Sequence, residues 1–323
     1  MDEAIRCEGL GKTYGSQAAV DGLDLSVAAN QVYGFLGPNG SGKTTTMRML
    51  LGLVRPSTGR AWLNGRPLPD PDGLARVGAM IEEPAFHPWM TGRRSLDALA
   101  LCGPPLPHPD AVDAALDRVG LMPVADRKVK TYSQGMRQRL AVALALLREP
   151  SLVLLDEPMN GMDPAGIREF RTTVRHLAAT GTTVFLSSHQ MTEVEQVCDR
   201  VAVVTSGRLI AEGTPDDLTT AVVRIVLAPA EQPSARELLA ERFTVAAAGP
   251  DAIVVKGDDG RAVNETLGRG GVWAHQIRVE RSGLEEAFLD LTGGAAADTR
   301  WPGAVGSVTS TPQEGVGDAT AAR

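Results

Sequence analysis

The sequence predicts an α/β fold with a mostly parallel sheet, followed by a small α+β appendage. Three observations predict it. Residues 152–155 and 183–187 are continuous strand-like runs, and each lies beside a helical stretch, which is the pattern of buried parallel strands. A glycine-rich segment follows directly after the apolar run at 31–36. Beyond about residue 221 such patterns give way to shorter strand and helix signals.

The composition is that of a globular protein. The chain has 323 residues, of which 43% are hydrophobic and 22% charged, and this length allows one large domain and a small one. The net charge of −7 argues against a protein whose main task is to hold nucleic acid, because phosphates require clustered Lys and Arg. The three cysteines form no CxxC pair, so neither a zinc site nor a disulfide framework is predicted.

The remaining elements of the main domain follow in order along the chain. Residues 5–10 and 18–27 predict short strands that are broken by glycines. Residues 45–53 predict a helix whose end is marked by a glycine and a proline. Residues 110–119 have apolar positions at helical spacing, and residues 140–147 predict a buried helix segment.

The carboxyl-terminal part divides into an appendage and a tail. Residues 222–227 and 252–256 predict strands, and residues 235–242 and 283–291 predict helices. From residue 293 the chain is made mostly of Gly, Ala, Thr, Ser and Pro and has few large apolar residues, which predicts disorder. The expected division is a main domain at 1–220, a small α+β domain at 221–292 and a disordered tail at 293–323.

Residues 37–44 read Gly-Pro-Asn-Gly-Ser-Gly-Lys-Thr and match the phosphate-loop pattern G-x-x-x-x-G-K-[ST]. The glycines let the backbone aim its N–H groups at phosphate oxygens, and the next helix adds its positive end. Lys43 supplies a charge for the β- and γ-phosphates, and Thr44 a hydroxyl for Mg²⁺. The alternative is a glycine-rich turn without a ligand. The candidate nucleotide-binding residues are Gly37, Pro38, Asn39, Gly40, Ser41, Gly42, Lys43, Thr44 and Thr45.

Two carboxylates, Asp156 and Glu157, follow the apolar run at 152–155. Open α/β sheets bind their ligands at the carboxyl ends of the strands. Asp156 can hold Mg²⁺, directly or through water, and Glu157 can polarise the water that attacks the γ-phosphate. The alternative interpretation is a solvated acidic turn.

A second candidate anion site precedes that strand. Residues 132–139 read Tyr-Ser-Gln-Gly-Met-Arg-Gln-Arg and open an apolar helix, so that Ser133 and the Gly135 amide lie at a helix N-terminus. One nucleotide in one chain does not need two such sites. A head-to-tail dimer does, because each loop holds a nucleotide that the partner's Ser133 helix caps.

Together these residues resemble the ATP-binding subunits of ABC transporters, over about residues 3–220. The matching motifs, in chain order, are Tyr14, the phosphate loop, a loop near Glu82, residues 132–136, Asp156 with Glu157, residues 160–163 and residues 187–189. The resemblance implies a P-loop NTPase of the ABC type, with a parallel sheet core and a helical subdomain. It further implies an ATPase that uses ATP and Mg²⁺ within a multicomponent transporter.

The resemblance assigns roles to three further residues. Tyr14 matches the aromatic residue that stacks on adenine, and its alternative is a small core tyrosine. Asp163 matches the aspartate at the dimer interface that helps to align the partner's site; it can also be a helix cap. His189 matches the histidine that contacts the γ-phosphate, and its alternative is a structural histidine.

Two residues depart from the family pattern. Glu82 stands where glutamine is usual, which puts a carboxylate near Mg²⁺, strengthens metal ligation and adds repulsion toward the γ-phosphate. This change is similar to that in the branch that includes bacitracin, lantibiotic and daunorubicin self-resistance exporters. Gln134 stands where glycine is usual, and we expect it to place a side chain near the partner's nucleotide.

By resemblance, the loop at 84–94 receives a separate transmembrane permease. It carries Phe86, Trp89 and Met90 in a proline-rich setting, and the alternative is local core packing.

No apolar run approaches the roughly 18 residues that a membrane span needs. We therefore expect a cytoplasmic protein, peripheral on the inner face of the cell membrane, whose partners are that permease and a second copy of itself, with no nucleic acid and no metal other than Mg²⁺. The cargo expected from that branch is an antibiotic, drug or peptide that is exported.

Three other functions stay open at this point. A soluble ABC-type ATPase that acts on ribosomes or nucleic acid would resemble chains with tandem cassettes or coiled-coil insertions, whereas this chain has one cassette. A P-loop kinase or GTPase is the second, but the Asn-Lys-x-Asp motif of a GTPase is missing from the sequence. A regulatory module that does not hydrolyse ATP is the third, and the presence of Lys43, Glu157 and His189 argues against it.

Overall fold

The computed structural model describes residues 3–82, 85–102, 106–219, 221–248, 252–281 and 283–291. The predicted disordered tail at 293–323 therefore lies outside the described residues. So does Pro84, the first residue of the loop that we expect to meet a permease.

The centre of the molecule is a six-stranded sheet in which all neighbouring strands are parallel except one antiparallel pair at an edge. Its strands, in spatial order, are β10 (Arg208–Gly213), β9 (Arg200–Thr205), β3 (Val32–Leu36), β8 (Thr183–Ser188), β7 (Leu152–Leu155) and β6 (Val77–Met80). This confirms the predicted mostly parallel sheet.

The central strands are apolar throughout because both faces of the sheet are covered. Leu152 and Leu154 pack into the core on one face, and Val153 and Leu155 into the core on the other. Successive side chains of one strand therefore point to opposite faces and contribute to two separate cores. The run has no polar position, as the sequence predicted for a buried parallel strand.

Most helices cover one face, and a second sheet together with the helix that follows the phosphate loop covers the other. Three of these helices, α3 (Gly92–Ala100), α4 (Ala111–Arg118) and α5 (Gln134–Leu146), pack on one another as a helical subdomain. The helices of the main domain are α1 (Lys43–Leu50), α2 (Pro71–Leu74), α3 (Gly92–Ala100), α4 (Ala111–Arg118), α5 (Gln134–Leu146), α6 (Pro164–Ala179), α7 (Met191–Glu195) and α8 (Pro215–Leu218), with short 3₁₀ turns at Met122–Val124 and Val129–Thr131. The predicted helix at 45–53 begins two residues earlier, because Gly42 in a left-handed conformation (φ 101°) ends the loop.

The second sheet is antiparallel, in the order β2 (Gln17–Ala28), β1 (Glu3–Tyr14), β4 (Thr58–Leu63) and β5 (Arg66–Pro67). Its first two strands are longer than the sequence predicted. Gly9 and Gly22 adopt positive φ angles of 55° and 63°, and both lie where the register of the pair shifts. The glycines therefore form bulges that bend the strands without ending them.

The appendage contains a separate four-stranded antiparallel sheet, in the order β12 (Val245–Ala248), β13 (Ala252–Lys256), β11 (Ala221–Val226) and β14 (Gln276–Arg281). Its elements are β11 (Ala221–Val226), α9 (Gln232–Ala240), β12 (Val245–Ala248), β13 (Ala252–Lys256), α10 (Gly260–Arg269) and β14 (Gln276–Arg281). This βαββαβ sequence with both helices packed on one face is the ferredoxin-like arrangement. Two of its four strands were predicted, and the polar strand β14 and the short β12 were missed.

The last described helix, α11 (Leu284–Leu291), leaves the appendage and packs on α7. Leu284 and Phe288 are buried in the core that α5 and α6 share with the central sheet. The chain therefore returns to the main domain after the ferredoxin-like unit.

Within the described residues, no helix combines the length and the apolar character that crossing a bilayer requires.

Candidate functional site

The phosphate loop runs from the end of β3 to the start of α1 and is tightly enclosed. A Cβ atom at Gly37 would lie 2.2 Å from the carbonyl oxygen of Val204 in β9, and one at Gly42 would lie 2.4 Å from the carbonyl oxygen of Ala19 in β2. Only glycine fits such contacts. The loop is therefore shaped by the two sheets on either side of it.

Lys43 and Ser41 lie inside this loop, and both are buried. The Lys43 Nζ donates to the carbonyl oxygens of Gly37 at 2.8 Å and Pro38 at 3.1 Å. The Ser41 hydroxyl has no hydrogen-bond partner among the described residues. Because a buried hydroxyl without a partner is costly, this donor beside an ammonium group fits the oxygens of a phosphate.

Asp156, at the carboxyl end of β7, is buried and held by two hydroxyls. Thr44 Oγ1 donates to its Oδ2 at 2.7 Å, and Ser187 Oγ donates to its Oδ1. A carboxylate and a threonine hydroxyl beside the loop are the oxygen donors that Mg²⁺ prefers. The donor set present thus fits a magnesium ion.

Glu157 connects the loop to the end of the neighbouring strand β8. Its Oε1 lies 3.3 Å from Lys43 Nζ, and its Oε2 lies 2.7 Å from His189 Nδ1. Its backbone N–H donates to Ser187 Oγ at 2.9 Å. Glu157 has a φ of 48°, which is uncommon for a non-glycine residue.

Glu82, which we expect to be a magnesium ligand, contacts a basic residue of α1. Its backbone φ is 68°, its side chain is exposed, and its carboxylate pairs with Arg48 of α1. Arg48 was missed by the sequence reasoning, although it lies on the helix that begins at Lys43 and faces Glu82 from its last turn.

Tyr14 lies at the end of β1, in the hairpin that joins it to β2. The residue is 50% exposed, and the Lys12 ammonium lies 5.1 Å from its ring centroid. A ring as exposed as this one is available to a ligand, with a cation beside it.

Ser133 and Asp163 form a second group, at the N-termini of α5 and α6. Ser133 Oγ accepts a hydrogen bond from Met136 N at 3.2 Å, and Asp163 Oδ1 accepts one from Gly166 N at 2.9 Å. Each is therefore an N-cap, as anticipated for Asp163. Both residues are exposed, and Gly135 is buried behind Ser133 beside Met162.

The fold thus brings Lys43, Thr44, Asp156, Glu157 and His189 into one connected site. Sequence reasoning noted Ser187 only as part of a motif and missed its role, which is to contact both Asp156 and the Glu157 backbone. The available signal was a serine at the carboxyl end of a buried strand.

A phosphate loop between a parallel strand and a helix, with carboxylates at the end of a nearby strand, defines a P-loop nucleotide-binding protein. The chain matches the ABC transporter family over residues 20–160. It is 36% identical over 305 residues to the bacitracin transport ATP-binding protein BcrA of Bacillus licheniformis, covering 91% of this chain and 99% of that protein.

Two further comparisons agree. The chain is 37% identical over 310 residues to the daunorubicin/doxorubicin resistance ATP-binding protein DrrA of Streptomyces peucetius, covering 91% of this chain and 94% of that protein. It resembles the ADP conformation of MJ1267, an ATP-binding cassette of an ABC transporter, with a TM-score of 0.61 and 25% identity over 67% of this chain and 93% of that one.

The chain belongs to the ATP-binding proteins of ABC transporters, which confirms the resemblance drawn from its motifs. It binds ATP and hydrolyses it as the ATP-binding subunit of such a transporter. Subunits of this family work with transmembrane partners and dimerise. A soluble ATPase that acts on ribosomes or nucleic acid is not favoured.

Proposed function

We propose that this chain powers the export of an antibiotic, drug or peptide, as a dimer that closes on ATP and Mg²⁺ beneath a separate permease. The names of two relatives, in bacitracin transport and in daunorubicin/doxorubicin resistance, support an antibiotic-type cargo. The location follows from the partner: the subunit lies at the inner face of the cell membrane because the permease holds it there.

The catalytic part of the proposal rests on one observation: the Glu157 carboxylate contacts both Lys43 and His189. Phosphate groups of ATP compete with Glu157 for the Lys43 ammonium, because they carry more negative charge at that position. Once Lys43 has turned to the β- and γ-phosphates, the Glu157 carboxylate is free to accept a hydrogen bond from the attacking water. His189 keeps that carboxylate oriented through its Nδ1 contact.

The remaining residues of the site bind and orient the nucleotide. Backbone N–H groups of the phosphate loop donate to the phosphate oxygens, together with the Ser41 hydroxyl, which has no partner among the described residues. Tyr14 stacks on the base. Thr44 and Asp156 would hold Mg²⁺, with Glu82 as a further ligand if it leaves Arg48. The ion, when bound, neutralises phosphate charge.

The dimer places a second copy against the nucleotide. Ser133 and Asp163 cap exposed helix N-termini, so their positive ends are free to meet an anion or an opposing loop. We assign Ser133 and the Gly135 amide to the γ-phosphate held by the partner copy, and Asp163 to alignment of the partner's loop.

Glu157→Gln tests the catalytic assignment. Replacing the carboxylate by a neutral amide removes the base, so the ATPase rate should fall by about 10²–10⁴-fold while ATP binding is retained. Steady-state phosphate release and nucleotide-binding titrations measure the two quantities. The same variant should dimerise with excess Mg²⁺-ATP, as light scattering would record. An unchanged ATPase rate would end the assignment of Glu157.

The loop that follows β6 supports the permease contact. Trp89 is 66% exposed and stacks on His87 with ring centroids 4.8 Å apart, whereas Phe86 packs partly against the main core. Core packing and an exposed aromatic surface are thus both present, in different residues. We assign the exposed Trp89 ring to the contact with the permease.

Trp89→Ala should weaken assembly with the permease without lowering ATP affinity, because the ring lies on the surface and outside the phosphate loop. Trp273→Ala is the matched control, since Trp273 in the appendage is 69% exposed. Co-purification with a co-expressed permease partner measures the effect. Equal recovery of the permease by the Trp89 variant and the wild type would contradict the assignment.

A further inference from the structure

The hairpin that carries Tyr14 extends beyond the rest of its sheet. The pairing of β1 with β4 ends at Gly11, whereas the pairing of β1 with β2 continues to Tyr14. The last three residues of β1 therefore belong to a two-stranded ribbon, which has little stability of its own. Contacts outside the strand ladder are needed to fix the position of this tip.

Two hydrogen bonds tie the tip to the loop that follows α1. Lys12 Nζ donates to the carbonyl oxygen of Arg55 at 2.8 Å. The Thr13 N–H donates to Ser57 Oγ at 3.1 Å. Both bonds lie beyond the last residue pair of β1 and β4, and each joins one side chain to a backbone group. The side chains of Lys12 and Ser57 thus continue the contact where the strand ladder stops.

The loop that accepts the Lys12 ammonium is itself attached to α1. The N–H groups of Leu53 and Val54 both donate to the carbonyl oxygen of Arg48, at 2.9 Å and 3.2 Å. Arg55 follows directly in the chain. Because α1 begins at Lys43 in the phosphate loop, the Arg55 carbonyl has a defined position relative to the residues that bind phosphate.

The same ammonium group lies over the ring of Tyr14, 5.1 Å from the ring centroid. Lys12 and Tyr14 are two positions apart on one strand, so their side chains leave the same face. Lys12 is half-buried, whereas Tyr14 is exposed. A cation on one face of an aromatic ring is attracted to its electrons and leaves the opposite face for a second ring to stack on. One ammonium group therefore contacts both the loop and the ring.

We propose that Lys12 is a positioning residue for the nucleobase of ATP. By bridging the Arg55 carbonyl and the Tyr14 ring, it fixes the ring relative to the phosphate loop, so that one ligand reaches both. This inference rests on the proposed function, in which Tyr14 stacks on the base. The contribution of Lys12 is confined to ligands that carry a base, which distinguishes it from a general attraction of lysine for anions.

Lys12→Met in the full chain tests this role. Methionine keeps an unbranched stem but lacks the charge and the donor, so the affinity for Mg²⁺-ATP should fall about fivefold, as expected for the loss of one cation–π contact and its hydrogen bond. The affinity for inorganic tripolyphosphate, which has no base, should be unchanged. Calorimetric titration measures both. The KM for ATP should rise while kcat is retained, because Lys12 does not touch the reacting phosphates.

Two control variants separate positioning from charge. Lys12→Arg supplies a cation with donors that can reach the same carbonyl and ring, and it should recover most of the preference for ATP over tripolyphosphate. Lys128→Met removes an equal charge from an exposed lysine outside the hairpin, and it should leave the affinity for ATP unchanged. If Lys12→Met does not fold, as thermal unfolding would show, Lys12→Gln takes its place because it also removes the charge.

The proposal is overturned if the Lys12 variant loses affinity for ATP and tripolyphosphate equally, or loses neither. It is also overturned if Lys12→Arg recovers none of the preference, or if Lys128→Met weakens ATP binding as much as Lys12→Met does.

Tyr14→Ala separates this inference from the function on which it rests. The variant should bind ATP more weakly and tripolyphosphate as well as the wild type does. If it binds ATP unchanged, stacking by Tyr14 fails and the role of Lys12 fails with it. If Tyr14→Ala weakens ATP binding and Lys12→Met does not, only the role of Lys12 is wrong. In the double variant the Lys12 substitution should add nothing, and losses that simply add would contradict a role through the ring.

Discussion

At the scale of single residues, the Ser187 hydroxyl organises both carboxylates of the hydrolytic site. It donates to Asp156 and accepts from the Glu157 backbone N–H, and it is fully buried. The left-handed backbone conformation of Glu157 is therefore stabilised by a side chain of the neighbouring strand β8.

Ser187→Ala should lower the ATPase rate by about tenfold or more, because Glu157 and Asp156 lose a shared anchor, and should cost about 1–3 kcal/mol of stability for the groups left unpaired. ATP binding should be retained. Phosphate release, nucleotide titration and thermal unfolding measure the three effects.

Ser188→Ala is the control for that variant. Ser188 is also buried on β8, but its hydroxyl accepts from Gln190 N at 2.9 Å. It should lose stability of a similar size and keep more of its ATPase activity. Equal losses of activity in the two variants would show that Ser187 acts only through stability.

At the scale of elements, the packing of α5 on β6 places the turn at Ser133 relative to the central sheet. The contact is close because Gly78 has no side chain: a Cβ atom there would lie 2.1 Å from the carbonyl oxygen of Ala145. Since that neighbour is backbone on a long helix, it cannot move aside without shifting α5.

Gly78→Ala should therefore destabilise the protein by about 1–3 kcal/mol, the usual cost of an overpacked core, which thermal unfolding would measure. Gly268→Ala in α10 is the control, because a Cβ atom there would have nothing within 4 Å. That change should stabilise by about 0.4–1 kcal/mol, since alanine loses less backbone entropy on folding. Equal melting temperatures for the Gly78 variant and the wild type would refute the close packing.

Strands were predicted correctly where both of their faces are buried in apolar surroundings. The runs at 152–155 and 183–187 were predicted as strands because burial on both faces removes polar positions. The polar strand β14 and helix α10 were missed, because each has only two large apolar residues, Ile277 and Val279 in β14 and Val263 and Leu267 in α10.

At the scale of the whole molecule, α11 connects the appendage to the main domain. Phe288 is 4% exposed within the main core, and α11 packs on α7, which begins two residues after His189. We propose that the ferredoxin-like unit at 221–281 is a separate domain, and that the helix after it, α11, belongs structurally to the main domain.

Phe288→Ala should destabilise the cassette by about 3 kcal/mol or more, because it leaves a cavity in the main core. Chemical denaturation of the full chain measures this cost. Leu289→Ala, on the same helix but 51% exposed, should change stability by less than about 0.5 kcal/mol. If both variants unfold at the same denaturant concentration, α11 does not contribute to the cassette core.

The sequence alone determined the parallel sheet, the phosphate loop, the paired carboxylates and the family, because each depends on neighbours within a few residues. Only the tertiary structure decided that Glu82 pairs with Arg48, that Gln134 packs on Gly161, and that α11 returns to α7. These contacts join residues far apart in the chain, so they follow from the pairing of strands and the packing of helices, which no local pattern encodes.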